Sequence, residues 1–196
     1  MITTEQIKEL RDKTGVSVMQ CKKALEEAGG DAEKALIILK KKSNDIAAKK
    51  SDRNLSGGVV QSYIHGTGNV GVLIELLCET DFVAKNQEFK DLAYDIAMHI
   101  AAMNPEFVKK DDITPENKSK VLELFTKEVE ESGKPIEMRE KIIQGKMDAY
   151  FAEQTLLQQS FVKKPDITVE DLINTAVQKF GEKIEVRRFV RYGLLN

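Results

Sequence analysis

The sequence is short of the residues on which many function classes depend. Its 196 residues include no tryptophan, two cysteines and two histidines, and the net charge is −2. Cys21 and Cys78 lie far apart without a CxxC spacing, so we expect reduced, buried thiols rather than a disulfide framework or a zinc site. The small net charge excludes a globally basic nucleic-acid-binding protein but leaves room for local basic clusters.

Long apolar runs and secretory features are missing as well. No apolar run approaches the roughly 20 residues that a membrane span needs. The N-terminal segment MITTEQIKEL has neither a basic n-region nor an apolar h-region, so we expect no signal peptide. Together with the unpaired cysteines, this predicts a cytoplasmic protein. The sequence does contain 41% apolar and 32% charged residues, which suits a helix-rich folded protein rather than a disordered one.

Residues 1–42 predict three short helices separated by glycines. Thr3 with Gln6, and Ser17 with Gln20, match the capping-box pattern that marks a helix N-terminus. Asp31 is a candidate cap for the third helix. A bundle this small is close to the lower size limit for independent folding.

Residues 40–58 favour a linker. Between Lys40 and Arg53, six basic and two acidic residues give a local charge of +4. Such a run is typical of a solvated hinge, with RNA contact as the alternative. We therefore expect two domains: an N-terminal three-helix module with its basic linker over residues 1–53, and a core over residues 54–196.

In residues 59–78 the pattern of apolar residues becomes typical of β-strands. The runs VVQSYIH and VGVLIELLC, joined by GTGN, predict a β-hairpin. The second run is almost wholly apolar, which predicts a central strand buried on both faces. Residues 66–71 match GxGxxG, but a strand follows them where a dinucleotide site needs a helix, so the glycines predict a turn.

The rest of the chain is predominantly helical. From Val83 onward apolar residues recur at helical spacing. Thr114 begins a further helix, which a long helix after Gly133 joins in a helical hairpin. A helix over residues 168–180 and a strand over residues 183–193 follow. The predicted fold class is α+β: an N-terminal three-helix bundle, a flexible linker, and a core in which helices and a helical hairpin pack on a small antiparallel sheet.

The C-terminal strand interleaves basic and aromatic residues. Arg187, Arg188 and Arg191 alternate with Phe189 and Tyr192, which resembles the stacking and charge pattern of RNA-binding surfaces. Strand alternation distributes these side chains over both faces, so an edge strand with snorkelling arginines is the competing interpretation.

The segment ETDFV lies where the second β-run gives way to a helix. Thr80 or Asp81 is a candidate helix cap, since either side chain can accept from unpaired backbone N–H groups. Phe82 is then either a core anchor or an exposed aromatic suited to a protein interface. The local sequence does not choose between these two.

The stretch CETDFVAKN resembles the signature of the bacterial elongation factor Ts family, the exchange factors of the GTPase elongation factor Tu. ELRDKTGVSVMQCKKALEEAGGDAEKA resembles the family's N-terminal module, a ubiquitin-associated-like three-helix bundle. VGVLIELLCETDFVAKN, MHIAAMNPEFV, GKPIEMREKIIQGKMDAYFAEQTLLQQSFV and GEKIEVRRFVRYG resemble its core and C-terminal half. The resemblance covers essentially the whole chain in order and points to the short form with a single core unit.

The resemblance implies a guanine-nucleotide exchange factor that binds elongation factor Tu in its GDP-bound and nucleotide-free forms. Such a factor is not an enzyme and needs no cofactor, metal, membrane or nucleic acid. The resemblance assigns four motif residues to the contact that disturbs the Mg²⁺ site of elongation factor Tu: Thr80, Asp81, Phe82 and Val83. Arg11 and Met19 of the N-terminal module are the implied secondary contact.

Two departures from the family pattern affect these expectations. In the loop TGVSVMQ, Val18 replaces a methionine and Gln20 an acidic residue, so the secondary contact differs in detail. Short members of the family form homodimers, and some carry a cysteine where this chain has Val190. We therefore expect a homodimer without a disulfide. The alternative function is a helical adaptor or RNA-binding module that uses the basic linker and the C-terminal strand.

Overall fold

The computed structural model describes residues 2–131 and 135–194, and the predicted α+β class is confirmed. The helices are α1 (Thr4–Thr14), α2 (Val18–Glu27), α3 (Ala32–Lys49), α4 (Asp81–Ala84), α5 (Gln87–Met103), α6 (Pro115–Glu131), α7 (Ile136–Gln154) and α8 (Val169–Phe180). The strands are β1 (Gly57–His65), β2 (Val70–Cys78), β3 (Ser160–Phe161), β4 (Lys164–Thr168) and β5 (Ile184–Gly193). Short 3₁₀ helices cover Lys110–Asp112 and Leu156–Gln158.

The three N-terminal helices begin at the predicted caps. The Thr3 hydroxyl accepts from the Gln6 amide at 3.2 Å, and the Gln6 side chain accepts from the Thr3 amide at 2.9 Å. Ser17 and Asp31 cap α2 and α3 through their side chains. The helices enclose a separate small apolar cluster: Leu10, Val16, Cys21, Ala24, Leu25, Ala35 and Leu39.

The predicted linker is wrong over residues 40–49, because α3 continues without interruption to Lys49. Ser43 is buried on this helix, and Ile46 and Ala47 pack against the main core. The many charged residues in this stretch made the apolar residues on one face of the helix hard to recognise in the sequence. Helix α3 therefore belongs to both apolar clusters and gives no irregular hinge in this stretch, while the boundary between residues 1–53 and 54–196 stays a prediction.

The hairpin is confirmed, and its second strand is central. β1 and β2 pair antiparallel from Gly57 opposite Cys78 to His65 opposite Val70, so the turn spans residues 66–69 as predicted. β5 pairs with the other edge of β2, which gives the order β1-β2-β5. β5 is thus an edge strand, and the glycine motif lies in a turn that a strand follows.

The prediction that β2 is buried on both faces is wrong. Helices α5 and α8 contribute buried residues to the core on one face, where β2 contributes Val72, Ile74, Leu76 and Cys78. On the other face Leu73 is 47% exposed. An apolar run alone does not tell whether a second layer covers a strand, and here no layer within the described chain covers this face fully.

Helices α6 and α7 form the predicted hairpin. The rings of Phe125 on α6 and Tyr150 on α7 meet edge-on with centroids 6.0 Å apart, and Lys146 pairs with Glu128 across the hairpin. The predicted break at Gly133 lies outside the described residues. The segment after α7 contains the two-stranded β3–β4 pair. No helix in the described ranges is long and apolar enough to cross a membrane.

His99 is a packed histidine that ties α5 to the segment after α7. It is 0% exposed, and its Nδ1 accepts from the Val162 amide at 3.2 Å. Nε2 therefore carries the proton and donates to Gln159 Oε1 at 2.9 Å. Burial lowers the pKa of His99, with the hydrogen bond to Gln159 opposing the effect. A neutral ring satisfies both partners, whereas a protonated ring cannot accept at Nδ1.

His99 predicts a loss of stability in mild acid. The pKa is lower in the folded chain than in the unfolded chain, so the unfolded state binds more protons as the pH falls below about 6.5. The free energy of unfolding then falls by at most about 1.4 kcal/mol per pH unit until the folded-state pKa is passed. Urea unfolding at pH 7.5 and 5.5 measures this fall. We expect a smaller decrease in the free energy of unfolding for His99→Gln. We expect an unchanged decrease for His65→Gln, where the replaced histidine is exposed. An unchanged fall in His99→Gln contradicts the assignment.

Candidate functional site

The corner between β2 and α4 is formed by short-range backbone and side-chain contacts. β2 ends at Cys78, and Thr80 is the N-cap of α4, its hydroxyl accepting from the Val83 amide at 3.5 Å. The Asn86 amide donates to Val83 O at 3.0 Å, and Asn86 then caps α5 through its side chain. The predicted helix from Val83 is therefore two helices, α4 and α5, separated by Lys85 and the extended backbone of Asn86.

Phe82 points outward from this corner and Val83 inward. Phe82 is 80% exposed, whereas Val83 is 5% exposed and belongs to the main core. Residues adjacent in a helix differ by about 100° in direction, so one can anchor the corner while the other projects. Of the two interpretations left open by the sequence, the structure places Phe82 as the exposed aromatic.

Asp81 is also exposed and carries its charge at neutral pH. Its carboxylate pairs with Lys85 one turn later. The hydrogen bond and the charge of Lys85 lower the pKa of Asp81. Because both side chains are 77% exposed, the pair contributes little to stability, and a partner can separate it at small cost.

Two carboxylates close the end of the β2–β5 ladder. Glu182 Oε2 accepts from the amides of Glu79 and Thr80 at 3.1 and 3.0 Å, and Glu182 Oε1 accepts from the Thr80 hydroxyl at 2.6 Å. In return, Glu79 Oε1 accepts from the Lys183 amide at 2.6 Å, and Glu79 Oε2 pairs with Arg53 at 3.0 Å. The amide of Lys183 is the main cause that lowers the pKa of Glu79. The segment after β2 and the segment before β5 therefore each supply a carboxylate to the backbone of the other: Glu182 accepts from two amides and Glu79 from one.

The start of β1 lies directly beneath the same corner. A Cβ on Gly57 would meet the Thr80 carbonyl oxygen at 2.5 Å and the Asp81 nitrogen at 3.0 Å. The neighbouring Ser56 hydroxyl donates to the Glu79 carbonyl. Gly57 thus allows the two backbones to approach each other. The glycine is required at this position by the close contact and not by a turn.

The sequence singled out the four motif residues but missed the residues that hold them in place. Thr80, Asp81, Phe82 and Val83 come together by being consecutive. Glu182 and Gly57 were not singled out, because long-range register decides their positions. The glycine pair that opens β1 and the acidic residue after the cap Gly181 were the available signals.

The predicted secondary contact lies on the N-terminal bundle. Arg11 is exposed on α1, and Met19, on α2, is 64% exposed beside the exposed Val18. These residues belong to the small cluster's helices, whereas the corner is built on the main core. The two predicted contacts are thus on separate packing units joined by α3.

Most of the basic residues considered for RNA binding have partners within the chain. Lys40 pairs with Asp171 at 2.7 Å and Arg53 with Glu79 at 3.0 Å. In the C-terminal strand, a bulge lets both Arg187 and Arg188 reach Glu75, at 3.1 and 2.7 Å. Arg191 donates to the Ala101 carbonyl at 3.2 Å. These contacts counter much of the positive charge on which the RNA-binding alternative depends.

Neither cysteine resembles a reactive or ligating thiol. Cys21 and Cys78 are free and buried, as predicted. Burial is the main cause that raises the pKa of Cys21 and the pKa of Cys78, the latter to about 11, so the thiolate form is scarce. Within residues 2–131 and 135–194, no three histidine, cysteine or acidic side chains are grouped to hold a metal ion.

The family model described as Elongation factor TS matches residues 40–194, which span the end of α3 and the entire described core. The chain belongs to this family. It is 50% identical to Elongation factor Ts of Carboxydothermus hydrogenoformans over 99% of this chain and 89% of that protein. Elongation factor Ts of Alkaliphilus metalliredigens is 51% identical over 97% and 88% of the two chains, and that of Thermosipho melanesiensis 47% identical over 98% of each.

Membership of the elongation factor Ts family places the protein in translation elongation. The relatives also align with residues outside the family model, because they cover 97% or more of this chain and the model begins at residue 40. The sequence of the N-terminal bundle is therefore shared with the relatives.

The contact beneath the corner predicts a strong effect of a single methyl group. We expect Gly57→Ala to destabilise the protein by about 1–3 kcal/mol in urea unfolding, because backbone atoms of Thr80 must move to accommodate the added Cβ. The amide resonances of residues 79–82 should shift with it. The matched control is Gly145→Ala in α7, where a Cβ has nothing within 4 Å. That change should stabilise by about 0.5–1 kcal/mol. Equal stability of the two variants contradicts the close approach.

Proposed function

We propose that the protein is the guanine-nucleotide exchange factor of elongation factor Tu, acting in the cytoplasm without chemistry of its own. The observation that supports this most directly is an aromatic ring, Phe82, that is 80% exposed on a corner fixed by hydrogen bonds. Exposed aromatics of this kind are typical anchors of protein interfaces. The corner carries the motif by which the chain resembles the family.

The proposed mechanism needs only differential binding. A GTPase holds GDP through backbone N–H groups and a Mg²⁺ ion that bridges phosphate oxygens to the protein. A factor that binds the nucleotide-free form more tightly than the GDP form weakens GDP binding by the same factor. The factor must therefore present a surface that fits only when the metal site is disturbed.

Phe82 has enough apolar surface for this task. Burying a phenylalanine removes about 150–250 Å² from water, which corresponds to roughly 4–6 kcal/mol before ordering and desolvation costs. Coupling between two ligands is typically about 1–3 kcal/mol. The ring fills a pocket between elements of the partner, and Thr80 and Val83 fix the direction in which it projects.

Asp81 supplies the electrostatic part of the proposed contact. Its carboxylate is exposed and ionised, and it pairs with the exposed Lys85. It can exchange that lysine for polar groups near the metal site of the GTPase. Arg11 and Met19 provide the secondary contact, and the continuous helix α3 presents their bundle in a defined position rather than on a loose tether.

The uncovered face of the sheet supports a homodimer. Residues from all three strands are exposed on this face: Val60, Ile64, Leu73, Val190 and Tyr192. A second copy offers the same face, and a two-fold axis lets one patch meet itself. The contact is held by packing alone, since Cys21 and Cys78 are buried and position 190 is valine.

We expect Phe82→Ala to reduce stimulated release of fluorescent GDP from elongation factor Tu. Truncation of an aromatic anchor costs about 2 kcal/mol or more, which corresponds to roughly a 30-fold loss at subsaturating factor. The midpoint of thermal unfolding should stay unchanged, because the ring makes little contact with its own chain. Leu124→Ala, which removes another exposed apolar side chain on the distant hairpin, should leave stimulation unchanged. Equal stimulation by Phe82→Ala and the wild type would refute the proposed role.

We expect Leu73→Glu to convert the dimer to a monomer, because it places a charged carboxylate where apolar side chains of a second copy would be buried. Sedimentation equilibrium measures the mass. Leu124→Glu, with the same change on the exposed face of the α6–α7 hairpin, should stay dimeric. A monomeric wild type, or dissociation by Leu124→Glu alone, contradicts the sheet interface.

A further inference from the structure

Glu182 stands opposite the functional corner because of strand register. In the β2–β5 ladder, Cys78 pairs with Ile184. Thr80 lies two residues beyond Cys78 and Glu182 two residues before Ile184, so the antiparallel arrangement brings them together. Gly181 makes this possible by ending α8 with a φ of 73°, which turns the chain toward the strand.

The carboxylate of Glu182 accepts three hydrogen bonds, and all of them come from residues 79 and 80. Two are from backbone amides and one is from the Thr80 hydroxyl. The hydroxyl in turn accepts from the Val83 amide, so one chain of hydrogen bonds runs from Glu182 through Thr80 into α4. Hydrogen bonds to an ionised acceptor are stronger than those between neutral groups.

Glu182 does not itself belong to the projecting surface. Its bonds end on Glu79 and Thr80, and the exposed Asp81 and Phe82 follow directly in the chain. Gly57 lies on the other side of the same backbone, with a virtual Cβ 2.5 Å from the Thr80 carbonyl oxygen. Thr80 therefore lies between a carboxylate that accepts its hydrogen bonds and a glycine that allows its backbone to approach β1 closely.

We propose that Glu182 is a positioning residue for exchange: its carboxylate fixes Thr80 so that Asp81 and Phe82 are presented to elongation factor Tu already in the binding conformation. The inference rests on the proposed function and adds a residue about 100 positions from the motif to the exchange machinery. A preorganised corner binds without first being ordered, so loss of the carboxylate weakens binding by lowering the fraction of competent molecules.

The test measures stimulated release of fluorescent GDP from elongation factor Tu over a range of factor concentrations. We expect Glu182→Ala to raise the half-saturating concentration about tenfold, as when one molecule in ten is competent, and to leave the rate at saturation close to that of the wild type. Glu182→Gln retains an oxygen for the backbone amides but not the acceptor for the Thr80 hydroxyl, so its loss should be smaller. In the free protein, the Glu79 and Thr80 amides of both variants should exchange hydrogen faster than in the wild type.

The matched control is Glu185→Gln, which removes a carboxylate from the same segment. Glu185 pairs with Lys183 at 3.3 Å, and its carboxylate accepts none of the hydrogen bonds described for the corner. We expect this variant to keep the wild-type half-saturating concentration. A similar rise in Glu185→Gln would mean that any lost carboxylate near β5 weakens binding, which would overturn the assignment.

A double-mutant cycle separates positioning from a general structural effect. If Glu182 acts through the corner, Glu182→Gln or Glu182→Ala added to Phe82→Ala should raise the half-saturating concentration by a smaller factor than in the wild-type background, because one of the two side chains that it positions is already gone. An undiminished effect in the Phe82→Ala background, or a wild-type concentration in the Glu182 variants alone, overturns the proposal. Failure of Phe82→Ala to reduce stimulation would instead remove the proposed function, so the two failures are distinguishable.

Discussion

The end of the β2–β5 ladder is the constraint on which the exposed corner depends. Just beyond the last pair, Cys78 and Ile184, the Glu182 carboxylate accepts from the amides of Glu79 and Thr80, and the Glu79 carboxylate accepts from the amide of Lys183, at 2.6 to 3.1 Å. Without these acceptors the amides at a strand end would rely on water, and the chain would leave the sheet in several directions. With them, the path from β2 into α4 is set by two strands rather than by one loop.

The same sheet explains why one molecule offers two different surfaces. Helices α5 and α8 contribute to the core on one face, and Val83 and Phe89 extend that core beneath the corner. The other face keeps apolar side chains in contact with solvent on all three strands. The covered face gives the corner a rigid base, while the uncovered face is suited to a second copy. The proposed exchange and proposed dimerisation therefore use different parts of a single small sheet.

The sequence predicted local structure well wherever one residue type determines it. Thr3, Ser17, Asp31 and Thr114 each cap the helix expected of them, because a capping hydroxyl or carboxylate needs only the next three amides in the chain. The four-residue turn at 66–69 was also predicted correctly. The linker was wrong over residues 40–49, because lysines on the exposed face of α3 outnumber the few apolar residues that pack. Burial of β2 on both faces was wrong because apolar content does not tell how many layers cover a strand.

The sequence by itself determined the helices, the hairpin, the family and the identity of the motif residues, since each of these depends on neighbours in the chain or on whole-length similarity. Only the tertiary structure decided that Phe82 projects while Val83 is buried, that Glu182 and Gly57 enclose Thr80, and that one sheet face stays open. These features depend on the register between strands that are about 100 residues apart. A shift of the register by one residue would turn each side chain to the opposite face of the sheet. The local sequence pattern does not determine this register.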